Sequence, residues 1–415
     1  MQLEERVKVL VGKDYEGIKK VVLAFSGGLD TSVIAAMFKD MGIEVVTMTL
    51  EIGQQEDMGA VDRKAKKLGT KHYGMDVREE FVNEYISRAI KTNCMYQGTY
   101  PNATALSRPL IAKYLVEVAK NEGAQAVAHG STGKGNDQIR IDNGVAALSD
   151  LKVIAPVRDW ELWRDEEIDY AKRTGLDVNV SKKKPYSFDQ NMWGRSMECG
   201  PIEYPDHEIP ADAYEWTVAP EKAPDKPTIV DITFESGLPV SVEANGETTN
   251  GLIKVIEMLN KLAGENGVGR IDHLEDRVIG FKSREGYESP AALVIIPAHK
   301  DLEKYVLSKD EISVKWYLDK IYADLVYEGK WYSPVRKEID MFMEESQRFV
   351  SGTVKMKLFK GSATVVSRKS TNALYSMDMA SYDKGTTWSQ KEGGAFTKIY
   401  GLQNVAAYKK RYLKK

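Results

Sequence analysis

The sequence predicts an α/β protein with an N-terminal domain built on a doubly wound parallel sheet, an α+β second domain and a C-terminal helical arm. Short β-rich apolar runs alternate with amphipathic segments over the first part of the chain. Further along, strand-like and helix-like segments come in separate blocks, which is typical of α+β domains. The chain has 415 residues, more than one ordinary core holds, so at least two domains are expected.

Five apolar runs in the first part of the chain predict buried parallel strands. They are VVLAF (21–25), VVTMTL (45–50), KHYGM (71–75), AVAHG (126–130) and KVIAP (152–156). The segments between them, such as TSVIAAMFKDMG and SRPLIAKYLVEVAKNEG, repeat apolar residues at helical spacing. Right-handed crossovers then place helices on both faces of one sheet. We assign this domain to residues 1–182.

The second predicted domain covers residues 183–380 and begins near a run of three lysines before Pro185. The segment TIVDITFESGLPVSVEA predicts a hairpin with Gly237 and Pro239 at its turn, and VSGTVKMKLFKGSATVVSRKS predicts a further pair of strands. LIKVIEMLNKLAG and EISVKWYLDKIYADLVYEG have the apolar spacing of helices.

Residues 381–415 are assigned to a C-terminal arm that ends in a helix. Ile399, Leu402 and Val405 fall near one helical stripe, and the basic end of the chain suits a helix C-terminus. Two interpretations stay open: a helix packed on its own domain, and an arm exchanged between the subunits of an oligomer.

Composition narrows the class of protein and its partners. The net charge is −3, so no overall basic field exists to bind a nucleic acid. The N-terminus lacks the features of a signal peptide and no window is apolar enough to span a membrane, so we expect a cytoplasmic protein with no membrane partner. Cys94 and Cys199 stand alone, which predicts buried thiols and not a disulfide, a metal site or sulfur transfer.

The stretch AFSGGLDTS (24–32) follows the first strand and predicts a phosphate-binding loop. Gly27 and Gly28 let the backbone approach a ligand, and the helix that follows has unsatisfied N–H donors at its first turn. Hydroxyl groups add donors, and Asp30 can hold Mg²⁺ or cap the helix. The spacings of a Walker A loop and of a dinucleotide fingerprint are not met, and the loop has no lysine. A capped Gly-Gly turn is the structural alternative.

A second loop, HGSTGKGNDQIR (129–140), follows the fourth predicted strand. Its three glycines allow close backbone approach, while Thr132, Asn136, Asp137 and Arg140 offer a hydroxyl, an amide, a carboxylate and a guanidinium. These groups suit a small zwitterion, and the alternative is a solvated loop.

Both loops resemble motifs of one enzyme family. SGGLDTS resembles the PP-loop of the ATP pyrophosphatases, and the order AxSGGLDTS, then HGxTGKGNDQxR, is similar to that of the argininosuccinate synthases. IGQQED, TYPNATALSRP, PYSFDQNMWGRSMECG and GVGRIDHLEDRVIGFKSREGYESP extend the resemblance along the chain. It implies an adenine nucleotide alpha hydrolase-like first domain, a homotetramer and a carbon–nitrogen ligase of arginine biosynthesis. Such an enzyme joins L-citrulline to L-aspartate with ATP through a citrulline-adenylate, releasing AMP and pyrophosphate.

The resemblance also implies a set of site residues. Expected ATP contacts are Ala24, Phe25, Ser26, Gly27, Gly28, Leu29, Asp30, Thr31, Ser32, Leu50 and Gly130, with Asp30 also on Mg²⁺. Expected aspartate contacts are Thr132, Asn136 and Asp137. Expected citrulline contacts are Tyr100, Thr104, Ala105, Asn136, Arg140, Ser187, Ser196, Glu275 and Tyr287, with Ala105 where many members carry Ser. Asp30, Asp137 and Arg140 are the expected catalytic residues.

Three other functions are weighed against this one. A synthetase of the NAD or GMP type needs an ammonia source, usually a glutaminase domain with a nucleophilic cysteine, and neither cysteine here has that setting. A tRNA-thiolating relative needs catalytic cysteines and a basic face. A non-catalytic ATP-sensing module would be favoured by loss of Asp30 or of the aspartate contacts, and all of these are present.

Overall fold

The computed structural model describes residues 3–11, 15–176, 186–382 and 387–413. The boundary that we predict between the first two domains, at 182/183, lies outside these ranges, as do the lysine run and Pro185.

A five-stranded parallel sheet forms the centre of the first domain. Its strands are β1 Lys20–Ala24, β2 Glu44–Glu51, β3 Lys71–Asp76, β4 Ala126–Ala128 and β5 Lys152–Ile154, in the spatial order β3-β2-β1-β4-β5. These are the five predicted strands. Strands β2 and β3 lie on one side of β1, whereas β4 and β5 lie on the other. Ligands of such sheets bind at this switch point, between the carboxyl ends of β1 and β4.

Helices cover both faces of this sheet, as a doubly wound fold requires. They are α1 Leu3–Val11, α2 Leu29–Asp40, α3 Met58–Lys67, α4 Arg78–Glu80, α5 Ser87–Lys91, α6 Ala103–Glu122, α7 Asp137–Leu148, α8 Pro156–Asp159 and α9 Arg164–Thr174, and a π-helical turn, Phe81–Ile86, joins α4 to α5. Alternate residues of β1 enter different cores: Val22 packs in the cluster with Leu110 of α6, and Leu23 in the cluster with Phe38 of α2. The predicted α/β class is therefore confirmed.

The second domain contains two antiparallel sheets. One has the order β11-β12-β7-β6 and the other the order β10-β9-β8-β13-β14. The strands are β6 Ser187–Asn191, β7 Gly194–Glu198, β8 Thr228–Glu235, β9 Leu238–Ala244, β10 Glu247–Asn250, β11 Arg270–Asp276, β12 Lys282–Glu288, β13 Gly352–Phe359 and β14 Ser362–Lys369. The predicted hairpin is β8–β9, but its turn is Ser236–Gly237, both with positive φ, and Pro239 lies in β9 opposite Phe234.

Helices flank these sheets and end the chain. They are α10 Leu252–Glu265, α11 Ala292–Val306, α12 Lys309–Tyr327, α13 Pro334–Gln347, α14 Met377–Ala380, α15 Gln390–Tyr400 and α16 Leu402–Tyr412, with short 3-10 helices at Gly200–Glu203, Ala211–Ala213 and Pro220–Lys222. The predicted helices of the second domain correspond to α10 and α12. In the ranges that are described, no helix combines the length and the apolar character needed to cross a membrane.

The two domains share one continuous hydrophobic core, and the turn of the β6–β7 hairpin, Met192–Trp193, packs into it. Trp193 is fully buried, and its Nε1 donates to the carbonyl of Pro101 at 3.1 Å. The backbone N–H of Met192 donates to the carbonyl of Ile52 at 3.0 Å. A Cβ at Gly53 would lie 2.1 Å from Cγ of Met192, so only glycine fits there. The hairpin therefore packs the second domain against the loop that follows β2.

Helices α15 and α16 contain no buried residue among those described. Ile399 is 71% exposed, and Phe396, Leu402 and Val405 are exposed as well. The helical end of the chain is confirmed, whereas the interpretation of a helix packed on its own domain is not what the structure shows.

Candidate active site

The loop of residues 24–32 leaves β1 at the carboxyl edge of the sheet and leads into α2. Gly27 has φ +70°, and a Cβ there would lie 3.3 Å from Cδ of Lys64. The hydroxyl groups of Ser26 and Thr31 lie 3.2 Å apart, and the N–H of Gly28 donates to Oγ of Ser26 at 3.3 Å. Although the loop itself has no lysine, α3 brings Lys64 onto it, and Nζ donates to the carbonyl of Gly27 at 2.7 Å.

A cavity of about 400 Å³ opens beside this loop. Of the expected ATP contacts, it is lined by Ala24, Phe25, Ser26, Thr31 and Leu50. The second domain closes it with residues of β6, and α6 contributes Arg108. The cavity therefore joins a loop with free N–H and hydroxyl donors to a cation, which suits the phosphates of a nucleotide.

Asp30 faces α9 and not this cavity. Its carboxylate lies beside Glu167, which is only 3% exposed and keeps Oε1 without a hydrogen-bond partner. Burial, followed by the proximity of Asp30, raises the pKa of Glu167 to about 8. Two adjacent carboxyl groups with an unpartnered oxygen fit a divalent cation, but the described residues contain no group of three or more His, Cys, Asp or Glu that could hold one.

The second loop, residues 129–140, lies beside the first. A Cβ at Gly130 would lie 3.3 Å from Cγ2 of Thr31, so the two loops are in close contact. The second domain holds this loop from the other side: Asn136 donates to Oη of Tyr327 at 2.8 Å and accepts from the N–H of Val278 at 3.1 Å. Arg277 donates to the carbonyl of Lys134 at 3.0 Å.

A smaller cavity of about 80 Å³ lies between the second loop and the β11-β12-β7-β6 sheet. Of the expected substrate residues, it is lined by Tyr100, Thr104, Asn136, Asp137, Arg140, Ser196, Glu275 and Tyr287. These side chains come from positions up to 187 residues apart, counted from Tyr100 to Tyr287. The structure thus brings most of the predicted citrulline contacts into one place.

Asp137 lies between two arginines that reach it from different helices. Arg108 donates to its Oδ2 at 2.6 Å and Arg140 donates to its Oδ1 at 2.8 Å. Burial by itself would raise the pKa of Asp137, but the two guanidinium groups outweigh burial and hold that pKa well below its usual range. Arg108 also bonds Asp189 of β6, so it ties the two domains together at the site.

Tyrosines surround the carboxylate of Glu275. Tyr327 donates to Oε1 at 2.5 Å and Tyr287 donates to Oε2 at 2.7 Å. The ring of Tyr100 stacks on that of Tyr287, with centroids 4.0 Å apart, and the ring of Tyr96 stacks on that of Tyr327 at 3.5 Å. Both oxygens of Glu275 are therefore oriented by groups that cannot themselves carry a positive charge.

Three expected contacts lie outside the smaller cavity, and the segment that supplies two serines is not a loop. Thr132 is exposed, Ala105 is buried in the core, and Ser187 is exposed at the start of β6. The resemblance to the family implies a loop around Ser187 and Ser196 that closes over citrulline, whereas the structure has a β-hairpin there, in which Ser196 pairs with Asp189.

Several residues of the site were missed by the sequence analysis. Arg108 follows Tyr100 and Thr104 at intervals of four, so helical spacing could have indicated it. Asp189, Glu198 and Glu285 lie two positions from Ser187, Ser196 and Tyr287, and strand alternation could have indicated them. Tyr327 and Lys64 come from helices with no such spacing to a predicted contact.

The cysteines take no part in this site. Cys94 is fully buried, accepts from Nδ2 of Asn102 at 3.2 Å, and has its pKa raised to about 12 by burial. Cys199 is partly exposed, and burial followed by nearby acidic residues raises its pKa to about 11. Both thiols are free and protonated near neutral pH, so neither has the character of a nucleophile.

The two cavities meet at Asp189, which lines both. Arg108 lines the larger cavity and bonds Asp137 in the smaller one. A phosphate held in the larger cavity and a small polar molecule held in the smaller one would therefore approach each other beside a buried cation.

Comparison with known proteins gives a consistent result. A family model described as the arginosuccinate synthase N-terminal HUP domain matches residues 20–177, and one described as the arginosuccinate synthase C-terminal domain matches residues 186–407. Argininosuccinate synthase of Rubrobacter xylanophilus is 50% identical over 388 residues, 93% of this chain and 94% of the relative. That of Pyrococcus furiosus is 50% identical over 392 residues, 94% of each chain. That of Pyrobaculum aerophilum is 51% identical over 399 residues, 95% of this chain and 100% of the relative.

Proposed function

The chain belongs to the argininosuccinate synthase family, and we propose that it joins L-citrulline to L-aspartate with ATP, giving argininosuccinate, AMP and pyrophosphate in arginine biosynthesis. The observation that carries the proposal is the junction of the two cavities at Asp189 and Arg108. ATP in the larger cavity and citrulline in the smaller one would bring a phosphate and a ureido group together at that junction.

In the first step, the ureido oxygen of citrulline attacks the α-phosphorus of ATP. An O–P bond forms while the bond from the α-phosphorus to the bridging oxygen breaks, and pyrophosphate leaves with the electron pair. The N–H groups of the loop at 24–32, the hydroxyls of Ser26 and Thr31, and Arg108 would stabilise the developing charge. Leu50 and Gly130 would contact the nucleotide.

Magnesium is part of this proposal. The carboxyl groups of Asp30 and Glu167 are hard oxygen ligands, and the unpartnered Oε1 of Glu167 supports their assignment to the ion. Held by these two carboxyl groups, the ion would supply positive charge that offsets the charge of the departing pyrophosphate.

In the second step, the free amine of aspartate attacks the ureido carbon: a C–N bond forms, the C–O bond breaks with its electron pair leaving on AMP, and the amine nitrogen loses one proton to solvent. Thr132, Asn136 and Asp137 are assigned to aspartate, with the anionic Asp137 favouring its amino group. Citrulline is assigned to Tyr100, Thr104, Ala105, Asn136, Arg140, Ser187, Ser196, Glu275 and Tyr287, most of which line the smaller cavity. Because none of these groups is an obvious general base, positioning is expected to supply much of the rate.

One assay tests the proposed function. Pyrophosphate release from ATP is measured with citrulline, with aspartate, with both, and with ammonia in place of aspartate. Release is expected to require citrulline, and argininosuccinate is expected only when aspartate is also present. Release supported by ammonia without citrulline would contradict the proposal and favour an ammonia-dependent ligase of the same superfamily.

We further propose the domain division 1–182, 183–380 and 381–415, a cytoplasmic location, and a homotetramer in which the C-terminal arm is exchanged between subunits. The two family matches, which end at 177 and resume at 186, support the first boundary. The exposed apolar side chains of α15 and α16 support the exchange, since two helices without a buried residue gain little from staying on their own subunit.

Placing charge on the arm is expected to break the assembly. The double variant Phe396→Asp, Ile399→Asp introduces carboxylates on exposed apolar positions and should shift sedimentation from tetramer toward smaller species at micromolar concentration. Gln403→Glu, on the exposed polar surface of α16, is the matched control and should leave the assembly intact. An unchanged tetramer in the double variant would show that the arm does not carry the interface.

A further inference from the structure

One face of the β11-β12-β7-β6 sheet carries an unusual number of acidic groups. Register places His273 opposite Glu285 and Glu275 opposite Ser283, so these side chains share a face. Tyr287 of β12 is opposite Ser196 of β7, which extends the same face across the sheet. This face forms one wall of the smaller cavity.

The carboxylates on this wall differ in how fully they are partnered. Both oxygens of Glu275 accept from tyrosines. Glu198 accepts from Arg277 at 3.0 Å. Glu285 accepts from Arg277 and from Ser283 through Oε1 alone, and its Oε2 has no hydrogen bond among the described residues. Glu285 is 5% exposed, so an oxygen with no partner faces the cavity side of a buried strand.

Charge at this wall is not balanced. Arg277 is the cation that bonds both Glu198 and Glu285, and Glu275 lies beside them with phenols as its partners. Burial, followed by the nearby Glu198 and Glu275, raises the pKa of Glu285 to about 9. Near pH 7 this carboxyl group therefore holds a proton, and a cation added at this wall would lower its pKa and stabilise the ionised carboxylate.

His273 does not supply that cation. It is buried on β11 directly opposite Glu285, its Nε2 has no hydrogen-bond partner, and burial lowers its pKa, so the imidazole is neutral near pH 7. The opposite side of the cavity is different, because Arg140 and Asn136 offer donors to an anion. The cavity therefore has an acidic wall and, opposite it, hydrogen-bond donors that lie beside the anionic Asp137.

We propose that Glu285 is a specificity-determining residue that contacts the α-ammonium group of the citrulline substrate. An ammonium is a compact group with three donors, so one can reach the free Oε2 of Glu285 while the others reach neighbouring carboxylates. Ligands that lack this group would leave Oε2 of Glu285 without a partner and would bind more weakly. The inference rests on the proposed function and adds to it a residue that selects α-amino acids.

The test compares two substrates in the pyrophosphate-release assay: L-citrulline, and 5-ureidopentanoate, which is the same acid without its amino group. Glu285→Gln keeps an acceptor for Arg277 but cannot ionise when an ammonium group approaches. The variant is expected to raise the citrulline KM about 30-fold, which is the low end of the cost of losing one partner of a buried charge pair. The KM for 5-ureidopentanoate is expected to stay within about twofold of the wild-type value. Glu285→Asp shortens the side chain by one methylene, so it should also raise the KM for citrulline more than that for 5-ureidopentanoate, but by a smaller factor than Glu285→Gln.

Asp272→Asn is the matched control. Asp272 lies on β11 but points to the other face of the sheet, where it pairs with Arg284, so its loss should leave both KM values unchanged. An equal rise of both KM values in Glu285→Gln would assign Glu285 to holding Arg277 and would overturn the inference, as would unchanged values. Failure of the wild-type protein to release pyrophosphate with citrulline would instead overturn the proposed function.

Discussion

Replacing Arg108 with alanine is expected to lower kcat for citrulline-dependent pyrophosphate release by about 10²- to 10³-fold, the usual cost of removing a preorganised donor to a developing charge. Arg108 is 13% exposed, lines the larger cavity and bonds both Asp137 and Asp189. Its loss would remove a cation from the place where, in the proposed function, a phosphate and a ureido group come together, and would leave two carboxylates without their shared partner.

The measurement needs a control for loss of charge and a control for folding. Arg63→Ala removes an exposed arginine of α3 that pairs with Asp57, and it should retain full activity. Circular dichroism and the melting temperature of Arg108→Ala establish whether it is folded. Wild-type turnover in a folded Arg108→Ala protein would remove Arg108 from the reaction.

The second large effect is expected for Asp137→Asn. This change removes the anion that is assigned to the amino group of aspartate and leaves Arg108 and Arg140 without their common carboxylate. Argininosuccinate formation should fall by about 10³-fold, whereas exchange of pyrophosphate into ATP with citrulline alone should fall by about tenfold or less, because exchange does not require aspartate.

The ratio of the two losses distinguishes the possible roles of Asp137. If exchange falls as far as product formation, Asp137 acts by orienting the two arginines, and its assignment to aspartate is wrong. Asp150→Asn, an exposed aspartate in the loop after α7, is the matched control and should leave both rates unchanged.

Much of the first domain could be predicted because its strands are buried on both faces. Such strands are continuous apolar runs, and all five runs became strands of the parallel sheet. Glycine and hydroxyl residues at strand ends predicted both loops of the site, because glycine lets the backbone approach a ligand closely and hydroxyl groups add hydrogen-bond donors.

The sheet that forms the wall of the smaller cavity was not predicted. Its strands include SFDQN, RIDHLED and KSREGYE, which place charged side chains on the face that meets the cavity. Strands are predicted from alternation of apolar and polar residues, and a strand whose inward face is polar loses that pattern. The polar side chains that line the cavity therefore remove the pattern from which these strands would be predicted.

By itself, the sequence determined the α/β class, the two loops and, through its motifs, the family, because each depends on residues close together in the chain. Only the tertiary structure decided that Lys64 contacts the phosphate loop, that Arg108 joins Asp137 to Asp189, and that Glu285 keeps a free oxygen on an acidic wall. The two partners of Arg108, Asp137 and Asp189, lie 29 and 81 positions from it in the sequence. Such contacts depend on strand register and domain packing, which local patterns do not encode.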